Sequence, residues 1–413
     1  QTGNLVIPHL QVAGGDVTFD VQGGNITFTG GELVNGAAGP LKGFYDATGT
    51  ATVSNTLTIK ATGDIVLGQN VLQRAMAQFD NVVLEAGGSV TGYINTKNLS
   101  VKAGGAINLI NTGTLPLVVT KLEAVGNSVS LQSAGDMTIN TAVTATGSNT
   151  VSYISGGALT LNAAVTTNTG NITMQSTNDM VFSEAADLAT TNGNVTLSAG
   201  DDLTMTMDTF VNVGIGALTV TAGSDLTDDL TVGKLRVTGT QNVTLTAGGA
   251  LKDAGNSVPD IIATNSRLVI RSGAGVAAAT GELMDIKVGS LDLINTGSGD
   301  VNLRQTGALN IWRAQQLIPG GGTGNSGSLN LSTIGGDITV MDTGWGVQSV
   351  TGNVNLYAGS GSFRLGLTQT DVATNNLAGG INTAGGSVTI TAERNDIVLA
   401  DGIRVVGSGA ISL

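Results

Sequence analysis

Gly193-Asn194-Val195-Thr196-Leu197-Ser198-Ala199-Gly200-Asp201-Asp202-Leu203-Thr204-Met205 decides the fold. It contains two short runs with apolar residues at alternate positions, split by a turn of small and Asx residues, the pattern of two β-strands. The line recurs at equal spacing, before it from Gly170-Asn171-Ile172-Thr173-Met174 and after it from Gly216-Ala217-Leu218-Thr219-Val220. The apolar residue opening the second run lies eight positions after the one opening the first. That offset holds at 57/65, 82/90, 99/107, 129/137, 151/159, 172/180, 195/203, 218/226, 243/251 and 268/276. It then loosens to 291/301, 329/338, 354/363 and 388/397.

Successive lines are usually about 21 to 25 residues apart, a period in the range of solenoid repeats. That interval leaves room for a third short strand, for which Val143, Val165 and Val211 are candidates. A unit this short cannot bury its apolar edge alone and must stack on its neighbours. The expected fold is all-β: a right-handed parallel β-helix, or β-solenoid, with three short strands per coil. The repeat covers residues 1–413, so one continuous array is expected, read as a window of a longer protein. Excursions are expected near 30–52, 68–80, 253–265, 304–326 and 367–385; residues 70–79 suit either a short helix or a third strand with a broad turn.

Composition agrees with many tight turns. The 413 residues include 62 glycines but only five prolines and no cysteine, so disulfides and thiolate chemistry are excluded. Seventeen basic against thirty acidic residues give a net charge of −13, which argues against nucleic acid as a partner. Between Lys121 and Lys234 no basic residue occurs, whereas eleven acidic ones do. No apolar run approaches the roughly 18 residues that span a bilayer, and no signal peptide opens the chain.

In a stacked solenoid, equivalent residues of successive coils lie about 4.8 Å apart and form ladders. Ile172, Val195, Leu218, Val243 and Leu268, with Met174, Leu197, Val220, Leu245 and Ile270, are the expected inward core. Between them Thr173, Thr196, Thr219 and Thr244 face outward, continuing from Ser130 and Ser152. This hydroxylated face suits packing against another solenoid or lying along a polysaccharide; it also follows from β-propensity alone.

Aspartate recurs just before the second strand, at Asp64, Asp136, Asp179, Asp202, Asp225, Asp300, Asp337 and Asp396. A turn aspartate accepting N–H groups of its own turn explains this locally. With Asp201, Asp228 and Asp229, the residues Asp179, Asp202 and Asp225 concentrate enough charge for a superficial, weak Ca²⁺ site. Trp312 and Arg313, in the 304–326 excursion, are the candidate binding loop. No catalytic set is visible. His9 is the only histidine, and Asp201-Asp202 and Asp228-Asp229 are adjacent pairs, whose side chains diverge on a strand. β-Helical pectin hydrolases and lyases need a Gly-His-Gly segment or a base beside calcium, and neither is present.

The lines of the form Gly-Asn-Val-Thr-Leu-x-Ala-Gly-x-x-Leu, at 193–203 and, opening with Gln241, at 241–251, resemble the repeats of filamentous haemagglutinin-type bacterial exoproteins. That resemblance implies a large extracellular β-helical adhesin or filament of the bacterial surface, exported with an outer-membrane transporter. The family's secretion domain, with its Asn-Pro-Asn motifs, is matched by no segment. The expected function is therefore a non-enzymatic structural rod. A carbohydrate or host-surface binding module and a polysaccharide-degrading enzyme are the alternatives. Adjoining repeats, and laterally a second rod, are the expected partners.

Overall fold

Alternation of Val, Ile or Leu with Ser, Thr or Asn is the period of extended chain, where successive side chains leave opposite faces. In the computed structural model these alternations are strands that lie parallel to their counterparts one coil away. The structure describes residues 2–7, 10–12, 16–29, 44–46, 56–68, 78–255, 259–277, 282–317, 327–342, 344–366 and 380–413. Among them there is no helix. His9, most of the 30–52 and 367–385 excursions, residues 70–77 and the glycine run 320–324 lie outside the described residues.

The chain forms two units, Gln1–Thr196 and Leu197–Leu413. Each is a parallel β-solenoid.

In the first unit the coils are most regular after Val129. One coil comprises Val129–Ser133, Met137–Ile139 and Val143–Thr144, and the next comprises Val151–Ser155, Leu159–Leu161 and Val165–Thr167. Val129 stacks on Val151, Met137 on Leu159 and Val143 on Val165. The third strands expected at Val143 and Val165 are therefore present, and Val211 lies in Phe210–Val213 in the second unit. Val151 in turn stacks on Ile172, so successive coils are of nearly equal length. The expected inward aliphatics are all fully buried. Each buried Val, Leu or Ile contributes roughly 1.5 to 3 kcal/mol relative to exposure, which makes stacking the main source of stability.

The turns are tight because coils touch there through backbone. A Cβ placed on Gly193 would lie 1.9 Å from the carbonyl oxygen of Gly170, one coil earlier, so no other residue fits without moving a coil.

In the second unit, Leu218–Ala222 stacks on Val243–Ala247, which stacks on the latter half of Ile261–Ser272. The offset of eight fails at 218/226. Leu226 is 67 % exposed, and the strand is Leu230–Val232, paired with Leu203 before it and Leu251 after it. Asp-Leu-Thr occurs twice, at 225–227 and 229–231, and only the second copy meets its neighbours in register.

The offset also marks different faces along the chain. Ile107, second member of its pair, stacks on Val129, a first member; Leu329, a first member, stacks on Val301, a second. The eight-residue step belongs to whichever corner is tightest, and that corner moves round the solenoid. Long strands such as Met284–Asn295 and Leu309–Gln316 cross a corner without breaking, each holding a register shift.

Candidate functional site

The aspartates before the strands act at a distance rather than within their own turn. Asp64 Oδ1 accepts the N–H of Ser89 (2.7 Å), while Ile65 N–H donates to the carbonyl of the same Ser89 (2.9 Å). Both backbone groups of Ser89 are thus held by one Asx-strand junction in the preceding coil. The same pair of bonds joins Asp136 to Ala158 (2.8 Å), Asp202 to Asp229 (2.7 Å) and Asp229 to Ala250 (2.7 Å). Asp300 holds Ser328 and Asp337 holds Ser362, both at 2.7 Å. Asparagine does the same work: Asn171 holds Asn194 (2.9 Å) and Asn353 holds Ser387 (2.9 Å). Local turn chemistry, as the sequence suggests it, is replaced by a clamp between coils. Its partner lies a whole coil further along the chain, where only stacking register identifies it.

In the second unit the clamp keeps Asp202 and Asp229 on one ladder and leaves Asp225 outside it. Asp229, not Asp225, stands over Asp202, because residues 224–228 bulge out of the coil. Asp228 is buried at the base of that bulge, and its Oδ2 accepts the N–H groups of Ser224 (2.9 Å) and Asp225 (2.8 Å). Asp229 Oδ2 pairs with Lys252. Asp201 and Asp225 are exposed in the second unit, and Asp179 is exposed in the first. Among the described residues, no group of three or more His, Asp or Glu side chains is arranged to hold a metal ion.

Trp312 and Arg313 sit in a strand, Leu309–Gln316, rather than in a loop. Leu291 pairs with Ile311 and Asp292 with Arg313, so Trp312 is the extra residue of a bulge, the device that turns a side chain off its ladder. Its ring lies under the Arg267 guanidinium, 4.6 Å from centroid to cation. Arg313 grips Asp292 through Nε (2.7 Å) and Nη2 (3.0 Å), and Arg271 grips the same carboxylate from the other side (3.1 and 3.2 Å). Burial works to raise the Asp292 pKa, but hydrogen bonds and charge from the two arginines hold it below the usual carboxylate range. Both candidate binding residues are committed to neighbours within the strand layer.

The hydroxyl ladder is where the sequence places it. Ser130 pairs with Ser152 and Ser152 with Thr173; in the second unit Thr219 pairs with Thr244. Thr173, Thr196, Thr219 and Thr244 are each half-buried, as outward residues of a flat sheet are. In the second unit the ladder ends as a hydroxyl face at Val269, beside Thr244, and continues to Asp292.

One titratable group escaped sequence reading. Asp260 is fully buried; its Oδ2 accepts the Asp285 N–H (2.9 Å), and among the described residues its Oδ1 makes no hydrogen bond of good geometry, with the Asp253 carboxyl as a charged neighbour. Burial first, then the Asp253 charge, pushes its pKa up to about 8. Asp285 is neutralised separately by Arg304, through Nε (2.6 Å) and Nη2 (2.7 Å). The signal was present in sequence: Asp260 precedes a strand, the clamp position, but on the third face, where the repeat is hardest to see.

These features define a class, the parallel β-solenoid repeat proteins, in which polar side chains chiefly join one coil to the next. The chain matches no protein-family model, no curated protein and no solved structure.

Proposed function

We propose that this chain is a structural element, a stretch of shaft from a large protein of the bacterial surface, either an adhesin stalk or an extracellular filament. The observation that carries the reading is the inter-coil clamp. Repeated Asx side chains, the residues best suited to bind an external ligand or metal, instead hold the backbone of the following coil. The two-sided arginine grip on Asp292 adds the same kind of tie. Such a stack resists bending because each coil is held by core ladders, strand hydrogen bonds and clamps together, and its function is to hold other parts of the protein at a distance. Export through an outer-membrane transporter, and an extracellular setting, are the expectations that go with the haemagglutinin-like repeat style. Lateral packing through the Ser and Thr ladder would convert such shafts into a sheath.

Electron cryo-microscopy of native material tests the reading. Shafts of constant width with an axial repeat of about 4.8 Å per coil are expected. Shafts in a regular lateral lattice would identify a filament or sheath, and isolated ones rooted in an outer membrane an adhesin stalk. Release of sugars from a polysaccharide by the purified chain would overturn the non-enzymatic reading.

A further inference from the structure

In the first unit the strand Val90–Ala103 carries Gly92 at a core position, between Leu67 below and Leu109 above. Its φ is +124°, and a Cβ there would meet the Leu67 carbonyl oxygen at 2.3 Å. The backbone is drawn inward at this point. Immediately beyond it, Tyr93 pairs with Ile110, and Gly68 follows Leu67 in the preceding coil. The result is a hollow of about 400 Å³, lined among the described residues by Val66, Gly68, Thr91, Gly92, Tyr93, Asn108 and Ile110. That volume is at the lower end of the roughly 300–1,000 Å³ of small-molecule sites.

We propose that this hollow is a subsite for one ring, or two linked rings, of an uncharged saccharide. Tyr93 is half-buried and offers an aromatic surface with a polar end, against which the axial C–H face of a pyranose packs. Thr91 and Asn108, neighbours on the outward ladder of the facing wall, supply a hydroxyl and an amide. Among the described residues, none hydrogen-bonds to these two side chains or to the Tyr93 hydroxyl, and all three groups can donate to and accept from sugar hydroxyls. Among the described residues no lining side chain is charged, so none of them offers a counter-ion to phosphate, sulfate or uronate, and the described lining favours neutral sugars. An extended peptide is disfavoured too: it binds sheets by adding to an edge, and here the strands on both sides of Val90–Ala103 are already paired. Recognition falls to side chains, the mode that oligosaccharides use.

The test uses the intact chain, isotope-labelled, titrated to 20 mM separately with cellotetraose, maltotetraose and chitotetraose, with tetragalacturonate as the charged control. Saturable shifts confined to the hollow are expected from at least one neutral oligomer and none from the control. Tyr93→Ala should weaken binding at least tenfold. Asn108→Ala should weaken it severalfold, and Thr173→Ala, on the same ladder but remote, should leave it unchanged. Val66→Trp fills the hollow from the opposite wall and should abolish binding while Tyr93 remains. Unchanged thermal midpoints would show that these surface variants fold. Absence of local shifts with all three neutral oligomers, or binding that survives Val66→Trp, would overturn the subsite. Either result leaves the shaft reading intact, because that stands on the clamp and on imaging.

Discussion

At an inter-coil clamp one oxygen, not a charge, does the holding: Asn171 and Asn353 perform the task of Asp136 and Asp337. Asp136→Asn is therefore expected to be nearly neutral, whereas Asp136→Ala should lower stability by about 1 kcal/mol, read from urea midpoints. Tyr153 presents the opposite case. It is fully buried between Leu131 and Met174, its hydroxyl lacks a partner, and burial pushes its pKa up. Tyr153→Phe should raise the unfolding midpoint, by the equivalent of about 1 kcal/mol; a fall would mean that the hydroxyl has found a partner such as buried water. Asp260 predicts a pH dependence. Its native pKa of about 8 exceeds the roughly 3.9 of an unfolded aspartate, so the folded chain binds the extra proton between these values. Stability then falls as pH rises from about 4 to about 8, by about 1.4 kcal/mol per unit at most, and levels off above. Asp260→Asn keeps an acceptor for the Asp285 N–H and should remove that slope; parallel profiles for both proteins would refute the raised Asp260 pKa. The positions of the clamp residues were legible in the sequence, because Asp64, Asp136 and Asp202 each directly precede a strand. Their partners were not, since a hydrogen bond to a residue a whole coil away leaves no local trace.

The coil from Leu218 to Gln241 shows how an element tolerates an insertion. Removing residues 225–228 would place Leu230 eight positions after Leu218 and rebuild Ala-Gly-Ser-Asp-Leu, closely matching Ala-Gly-Asp-Asp-Leu at 199–203. The deletion is expected to fold and to stay close to the parent in thermal stability, since the exposed Leu226, the bulge closed by Asp228 and one inter-coil bond, from Gly249 N–H to the Asp228 carbonyl (2.7 Å), are what is lost. A destabilised product would show that the bulge supports neighbouring coils. In contrast, Asp292→Ala leaves the part-exposed Arg271 and Arg313 facing each other without their shared carboxylate and should cost about 2 kcal/mol. Its contribution in the parent is present at neutral pH and lost as acid protonates the carboxylate. Strand existence and inward residues were legible throughout, because alternation survives wherever a face is buried. Which face a line belonged to was not. Alternation has a period of two on every face, so 99/107, 129/137 and 329/338 look alike although they occupy different pairs of faces.

For the molecule as a whole, nearest-neighbour contact between coils means that stability is distributed rather than centred on one core. Unfolding is accordingly expected to proceed in steps, with hydrogen-exchange protection lowest beside irregular coils and highest across 129–196, where strands and clamps recur most evenly. Uniform protection along the chain would count against this. Trp312 and Arg313 drew notice in the sequence because large side chains are rare here, yet rarity reports a bulge and an ion pair as readily as a site. The Tyr93 hollow was illegible for the converse reason: it is made by what Gly68 and Gly92 lack.

The clamp has one more property. At every clamp the side-chain oxygen belongs to the earlier coil and the captured N–H to the later one, as with Asp64 and Ser89, Asp136 and Ala158, and Asp300 and Ser328. At the clamps the two faces of a coil are therefore not interchangeable: one offers the side-chain oxygen of an Asp or Asn, the other a backbone N–H. A coil arriving upside down would bring acceptor against acceptor. The aspartates thus work as one-way teeth, admitting the next turn of chain in a single orientation and rejecting its mirror approach.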